Sequence, residues 1–333
     1  RGVRTIVEMV SATRLDTVLG STALMRKALS EAVWHTSHRE AFGAALIDQP
    51  LMRQVLADMA LEVEAATWLG MRLAHAVDAS EAGSSEQAAF RRIALPMSKY
   101  YVCKRAPGLT FEAMECLGGV GYVEETGLPR LYREAPVNSI WEGSGNVNAL
   151  DLLRAIARNP ESLDAYLQNL APASGCDEAF DNGLRDLLNA LAQNPAGAPA
   201  RARWLAEKMV LLLQASLLVQ YAPSAVSEAF IATRLRQWEG TYGVVDLAAQ
   251  DVAAILERAR AGVSVTVLTD VPFRDLPFMP RDIALQRRDD GAFVGRVGLH
   301  HPPYWPALEC GWVLARSAWG RGFAREAAAA ALA

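Results

Sequence analysis

The sequence lacks several features that mark common functional classes. Its four cysteines lie far apart in 333 residues and form no CxxC or Cys/His ligand spacing, so we expect free thiols, a reducing compartment and no structural metal. The longest strongly apolar run, residues 209–222, is too short to span a bilayer and contains two glutamines. We therefore expect a cytoplasmic protein with no membrane partner.

An excess of either charge sign is also lacking. The 33 Lys and Arg residues face 37 Asp and Glu residues, which gives a formal net charge of −4. Residues 1–160 hold 17 basic and 18 acidic residues, and residues 161–262 hold 8 and 12. Because binding through phosphate neutralisation needs a basic excess or a basic face, we expect weak or absent affinity for DNA.

Helical periodicity dominates the first 262 residues, and we find no strand pattern there. Apolar residues recur at helical spacing over residues 5–39, 50–77 and 87–117, and three such long helices indicate a helical bundle. Residues 118–142 carry glycines and prolines among charges and aromatics, so we expect a long irregular loop with a binding role. Another helix follows over residues 146–158.

The pattern changes after Gly262, where residues 263–267 alternate between valine and Ser or Thr. Two strands, residues 283–288 and 292–299, are predicted on either side of Asp290-Gly291. We expect a mainly α protein with a small partial α/β segment. Its predicted parts are a four-helix bundle over residues 1–160, an additional helical region over 161–262, and the α/β segment over 263–333.

Two motifs suggest a family. The first is Glu115-Cys116-Leu117-Gly118-Gly119-Val120-Gly121-Tyr122, and the second, some twenty residues on, is Ile140-Trp141-Glu142-Gly143-Ser144-Gly145-Asn146. Together they resemble the acyl-CoA dehydrogenase family. The intervening Leu128-Pro129-Arg130-Leu131-Tyr132-Arg133-Glu134 resembles its AidB-like branch, and the resemblance extends from residue 1 to about residue 260.

The resemblance implies a catalytic base. In this family a carboxylate removes the α-proton of an acyl-CoA thioester while the β-hydrogen leaves as hydride to FAD, and Glu142 matches the usual base position. An acidic side chain can take this proton once burial raises its pKa. In one branch the base comes from the first long helix, but the matching residue here is Thr13. From the residues alone, Glu142 could instead cap the helix near Asn146.

The resemblance also implies an FAD site, in which Arg39 and Gln49 face the pyrophosphate and ribose region. A glycine turn approaches the adenosine end, often across a subunit interface, so we expect a homo-oligomer. The implied cofactor-binding residues are Arg39, Phe42, Gln49, Gly118, Gly119, Gly121, Gly143, Gly145 and Asn146. Without the family, the glycines are a helix stop, Arg39 a helix-end cation and Phe42 a core residue.

Full-length family members also carry an N-terminal helical domain and a middle β domain, and neither is recognisable here. The chain opens with Arg1 inside a helical pattern, so we interpret its start as a cut end. We expect FAD retention by this chain alone to be doubtful. AidB-like proteins are associated with double-stranded DNA and alkylation damage, so the alternative function is a non-enzymatic helical module that oligomerises or binds DNA.

The last segment resembles a second family. Residues 308–314 followed by Trp319-Gly320-Arg321-Gly322-Phe323-Ala324 look like the strand and phosphate loop of GNAT acetyltransferases of the RimJ-like branch. Backbone N–H groups of such a loop cradle the acetyl-CoA pyrophosphate, which implies Gly320, Arg321, Gly322, Phe323 and Ala324. Glu309 is either a general base or an exposed strand residue, and His300 and His301 are predicted to lie in a surface loop. Because elements of the fold are missing, we expect a truncated and inactive acetyltransferase.

Overall fold

The computed structural model describes residues 2–192, 198–236, 240–245, 247–261, 283–286, 293–300 and 309–314. The chain divides into two compact units, Arg1–Val263 and Ser264–Ala333. The first is all-helical apart from one short hairpin, and the second contributes three described strands. The mainly α fold with a small β-containing segment is confirmed.

Three long helices form the centre of the first unit: α1 (Gly2–His38), α2 (Pro50–Glu81) and α3 (Ser85–Cys116). Pro50 occupies the first turn of α2, where its missing N–H is not needed. The Ser84 side chain caps α3 by accepting a hydrogen bond from the Gln87 backbone N–H. All three predicted helices are confirmed.

A small hairpin joins α1 to α2. Its strands, β1 (Glu40–Ala41) and β2 (Ala44–Ala45), pair antiparallel, and a 3-10 turn at Leu46–Asp48 leads into α2. Our expectation of no strand before Gly262 was therefore wrong. Strands of two residues are too short to show the alternation on which strand prediction depends.

Residues 118–142 were predicted as one irregular loop, and this is also wrong. They contain α4 (Gly119–Tyr122), a 3-10 turn at Glu124–Thr126 and α5 (Leu128–Asn138). Pro129 lies in the first turn of α5, and Gly127 adopts φ +75 before it, so residues read as helix breakers instead start a helix. Within this span, only residues 118, 123, 127 and 139–142 lie outside these elements.

The remaining helices pack around this bundle. They are α6 (Gly145–Arg158), α7 (Pro160–Leu170), α8 (Glu178–Ala192), α9 (Ala198–Tyr221), α10 (Ser224–Ile231) and α11 (Ala249–Ala261). Residues 209–218 of α9 are buried without exception, which confirms a core helix in that apolar run. A buried ion-pair group joins Arg234, in the π-helical turn Ala232–Arg236 after α10, to Asp58 and Glu62 of α2, so this turn is fixed to the bundle by charge as well as by apolar contacts.

The second unit contains β3 (Ile283–Gln286), β4 (Phe293–His300) and β5 (Glu309–Leu314), an antiparallel sheet in the order β3-β4-β5. The predicted strands are confirmed. His300 ends β4 opposite Glu309, so its placement in a loop was wrong. His301, Asp290-Gly291, residues 263–267 and the predicted phosphate loop at 319–324 lie outside the described residues.

Candidate active site around Glu142

Glu142 lies in the short connection between α5 and α6, half-buried, with φ +54. Gly143 follows it with φ +101. A non-glycine residue in the left-handed region costs roughly 1–3 kcal/mol and persists only when its surroundings hold it there. Glu142 is one of two such residues in the described part of the chain, the other being Phe42.

Side chains from three helices hold the backbone carbonyls around Glu142. The Lys99 ammonium of α3 donates to the carbonyl oxygens of Trp141 and Gly143, each at 2.7 Å. The Arg14 Nε of α1 donates to the Glu142 carbonyl oxygen at 3.1 Å. The Asn148 amide of α6 also donates to the Gly143 carbonyl. We call Arg14, Lys99 and Asn148 the carbonyl clamp.

Arg14 is itself held by Asp151. Its Nη1 lies 2.6 Å from the Asp151 carboxylate, whose other oxygen lies 2.9 Å from Nη2 of Arg92. Burial tends to raise the pKa of the Asp151 carboxyl, but the hydrogen bonds and charges of the two arginines outweigh it and lower that pKa below its ordinary value. The ionised Asp151 carboxylate therefore holds the guanidinium of Arg14 while its Nε donates to the Glu142 carbonyl.

Lys99 is 1% exposed. Burial lowers the pKa of its ammonium, and the charges of Cys103 and Glu142 act in the opposite direction. A buried ammonium must be hydrogen-bonded, because its desolvation is otherwise uncompensated. Within the described residues, its hydrogen bonds go to carbonyls of the Glu142 connection.

The Glu142 carboxylate itself makes no hydrogen bond or ion pair with any described residue. The N-cap of α6 is Ser144, whose side chain accepts no hydrogen bond from the helix. Because the Glu142 carboxylate accepts none from it either, Glu142 does not serve the capping role that the sequence left open. The backbone is fixed and the acidic group is left available. This arrangement suits a group that must meet something other than its own chain.

Two glycines and one asparagine lie beside Glu142 in close contact with neighbouring helices. A Cβ on Gly143 would lie 3.1 Å from both the Asn148 amide and the Val147 side chain, and one on Gly145 would lie 2.7 Å from Cε of Lys104. Both glycines are thus explained by close packing. The Asn146 side chain accepts a hydrogen bond from Nε of Arg203 at 2.8 Å, which joins the start of α6 to α9.

A second group of predicted site residues lies at the hairpin. Phe42 and Gly43 form its two-residue turn with φ +55 and +84, and the Phe42 ring is 93% exposed, which excludes the core position. The Gln49 amide donates to the Ala41 carbonyl oxygen at 3.2 Å. Arg39 is exposed, and its guanidinium forms no ion pair with a described residue.

A third group is the glycine turn after α3. Gly118 has φ +65, and a Cβ on Gly121 would overlap the Met114 carbonyl oxygen, so chain geometry explains both. Gly119 has open space around its Cα. Nearby, Arg133 pairs with Glu124 at 2.6 Å on the surface.

Within one chain, the structure separates the Glu142 site from the hairpin. Arg14, which contacts Glu142, and His38, next to the hairpin, are separated by 24 residues of α1, or roughly 36 Å at 1.5 Å per residue. Thr13, at the alternative base position, uses its hydroxyl to bond the carbonyls of Met9 and Val10 one turn earlier. The Glu142 site and the hairpin are therefore two separate places along α1.

Comparison with known proteins identifies this architecture. The family model for the acyl-CoA dehydrogenase C-terminal domain matches residues 1–157. Residues 1–157 are an acyl-CoA dehydrogenase C-terminal domain. A second family model, the acetyltransferase (GNAT) domain, matches residues 227–333 and so begins within the helical unit.

Several relatives share this domain. Putative acyl-CoA dehydrogenase AidB of Escherichia coli is 40% identical over 264 residues, 79% of this chain and 47% of the relative. Acyl-CoA dehydrogenase family member 11 of Caenorhabditis elegans is 35% identical over 56% of this chain and 30% of its own length. The chain thus spans half or less of the length of these relatives.

Among solved structures, Caenorhabditis elegans ACDH-11 in complex with C11-CoA matches with a TM-score of 0.63 and 28% identity. The match covers 78% of this chain and 44% of that one. It extends the likeness beyond residue 157 to the additional helices.

Sequence reasoning found Glu142 but missed the carbonyl clamp and Asp151. The one available signal was a lysine inside the apolar stretch Leu95-Pro96-Met97-Ser98-Lys99-Tyr100-Tyr101. Charged residues are almost never fully buried unless they are paired, so a lysine at this place indicates a partner.

Neither a metal-binding cluster nor a membrane span occurs in the described residues. No group of three His, Cys, Asp or Glu side chains there could hold a metal ion. None of the described helices is long and apolar enough to cross a membrane. Cys103, Cys116 and Cys176 are free thiols, as expected.

Proposed function

We propose that this domain supplies the catalytic base of a flavin-dependent acyl-CoA dehydrogenase, and that Glu142 is that base. The observation that carries the proposal is an unpaired, half-buried carboxylate on a backbone fixed from three helices. Preorganisation of this kind is what proton abstraction requires, because the acceptor oxygen must stand within hydrogen-bond reach of the α-carbon.

In the proposed reaction, this chain accepts one proton. A Glu142 oxygen takes the α-proton of the acyl thioester, so the Cα–H bond breaks and an O–H bond forms. The electron pair released forms the Cα=Cβ double bond as the β-hydrogen leaves with its pair. FAD, the usual cofactor of the family, accepts that hydride when bound.

The hairpin residues fit a flavin cofactor. Arg39 offers an exposed guanidinium without a described ion-pair partner, as a pyrophosphate requires, and Phe42 offers an exposed ring to an apolar or aromatic surface. Gln49 donates to the Ala41 carbonyl oxygen, directly before the turn that carries Phe42. Since this group lies at the far end of α1 from Glu142, we propose that it serves the cofactor of another subunit in a homo-oligomer.

A solved relative supports a proposal for the substrate class. The solved ACDH-11 structure holds C11-CoA, and we propose an acyl-CoA thioester as substrate here. The acetyl-CoA loop at Gly320–Ala324 stays a prediction from the sequence, and double-stranded DNA stays the partner of the alternative function only.

The test uses a chimera in which residues 1–261 replace the matching part of Escherichia coli AidB. The unmodified chimera should retain FAD through gel filtration, and its flavin absorbance should bleach anaerobically with one of a series of thioesters from butyryl-CoA to lauroyl-CoA. Glu142→Gln should keep FAD and slow bleaching by about 10²–10⁴-fold, which is what a positioned general base contributes.

Glu134→Gln is the matched control, because it removes an exposed carboxylate from neighbouring α5. It should bleach at the unmodified rate. Bleaching of Glu142→Gln at that rate would remove Glu142 from the mechanism. An FAD-loaded chimera that no thioester bleaches would contradict the dehydrogenase function itself.

A further inference from the structure

The three carbonyls held around Glu142 belong to three successive peptide planes. Each plane is rigid, and the backbone can rotate only at φ and ψ between planes. The Trp141 and Glu142 carbonyls define the planes on either side of the Glu142 Cα, and the Gly143 carbonyl defines the next. Holding all three fixes φ and ψ of both Glu142 and Gly143.

Lys99 holds the first and third of these planes with one ammonium group. Its two hydrogen bonds therefore bracket Glu142, whereas Arg14 holds the plane between them. A single group that holds both outer planes opposes rotation of the whole segment, because either rotation breaks one of its two contacts.

The burial of Lys99 makes this restraint strong. The side chain is 1% exposed and forms no ion pair with a carboxylate in the described residues. If the connection moved away, the ammonium would remain buried without its acceptors, and such a group costs its full desolvation penalty. The Lys99 ammonium therefore keeps its two hydrogen bonds only while the connection stays in place.

We propose that Lys99 is a positioning residue for Glu142, which fixes the left-handed backbone of the connection and so aims the carboxylate at the α-carbon of the acyl thioester. The orientation of the carboxylate toward a substrate rests on the proposed function. The restraint on the backbone does not.

The first test uses the full chain and the protease Glu-C, which cuts after glutamate. Cleavage between Glu142 and Gly143 requires the connection to open, so its rate reports the restraint. Lys99→Met keeps the length and apolar packing of the side chain and removes the donors. We expect its cleavage at this bond to be faster by about tenfold or more, with a cooperative thermal melt retained.

Lys104→Met is the matched control, since it removes an exposed lysine from the same helix beside the same connection. It should cut at the unmodified rate, and Lys99→Arg should recover part of the protection. Unchanged cleavage in a folded Lys99→Met chain would overturn the proposal. If Lys99→Met does not fold, neutral Lys99→Gln decides by the same criterion.

The second test, in the AidB chimera, separates an effect on the orientation of Glu142 from an effect on the fold. Lys99→Met should lower kcat for flavin bleaching by about 100-fold, as expected for a base displaced by about 1 Å, with KM and FAD content unchanged. Loss of FAD or an equal loss in Lys104→Met would overturn the positioning role. If the unmodified chimera does not bleach, the proposed function has failed, while the Glu-C assay still decides whether Lys99 restrains the connection.

Discussion

Phe42-Gly43 and Glu142-Gly143 share positive φ angles and are supported in opposite ways. Each pairs a left-handed non-glycine residue, φ +55 and +54, with a glycine at φ +84 or +101. The first is the two-residue turn of a hairpin, made by the pairing of adjacent strands. The second is made by side chains of α1, α3 and α6.

The two segments differ in what keeps their backbone rigid. A hairpin turn of two left-handed residues matches the twist of its own strands, so it needs little from the rest of the fold. It presents a phenylalanine that is 93% exposed, the ring that we propose to meet a cofactor. The Glu142 connection has no strands, and its rigidity must come from distant side chains. Rigid support is what a catalytic acid or base needs.

The largest expected effect is on the second glycine of each pair. Gly143→Ala forces a Cβ to φ +101 against Asn148 and Val147, and we expect it to lower the free energy of unfolding by about 3 kcal/mol. Gly43→Ala meets open space at φ +84 and should cost only about 1 kcal/mol. Urea unfolding of both variants measures the difference, and equal losses would mean that the two turns are supported alike.

An arginine near each turn gives the next comparison. Arg14→Met breaks a buried ion pair and a carbonyl contact, but Asp151 keeps Arg92, so we expect a loss of about 2 kcal/mol. Arg39→Met changes an exposed side chain and should stay within about 0.5 kcal/mol of the unmodified chain. Comparable losses measured by urea unfolding would contradict the structural role given to Arg14.

Acid should weaken the Glu142 connection before the hairpin. The pKa of the Asp151 carboxyl is lowered in the folded chain, so its stabilisation is present above its ordinary pKa of 3.8 and is lost as pH falls through the folded value. The hairpin is held by Gln49, which does not titrate.

The measurement is the melting temperature of the unmodified chain minus that of Asp151→Asn across pH. This difference should be constant from neutral pH down to about pH 5 and should shrink below about pH 4. A difference that begins to shrink near neutral pH would contradict the lowered pKa of Asp151.

The smallest effect concerns Phe42 itself. Phe42→Asn places a residue that tolerates the left-handed region at φ +55 and removes an exposed apolar ring, so the isolated chain should gain about 0.5 kcal/mol. Its FAD content in the chimera should fall, because the ring belongs to the proposed cofactor group. A stabilised variant that retains all its FAD would remove Phe42 from that group.

Much of the fold follows from local pattern. The apolar periodicity of residues 5–39, 50–77 and 87–117 predicts α1, α2 and α3 within a few residues, because an amphipathic helix must place its apolar face toward a core. The largest error came from glycine and proline between residues 118 and 142. These residues were read as breakers, although Pro129 starts α5 in the position where proline is tolerated.

By itself, the sequence determined the helical class, the family of residues 1–157 and the choice of Glu142 as candidate base, because each depends on residue types at short spacing. Only the tertiary structure decided how Glu142 is held. Lys99 and Arg14 reach it across 44 and 128 positions of sequence. They bind backbone carbonyls, which every residue possesses, so the loop sequence carries no mark of the contact.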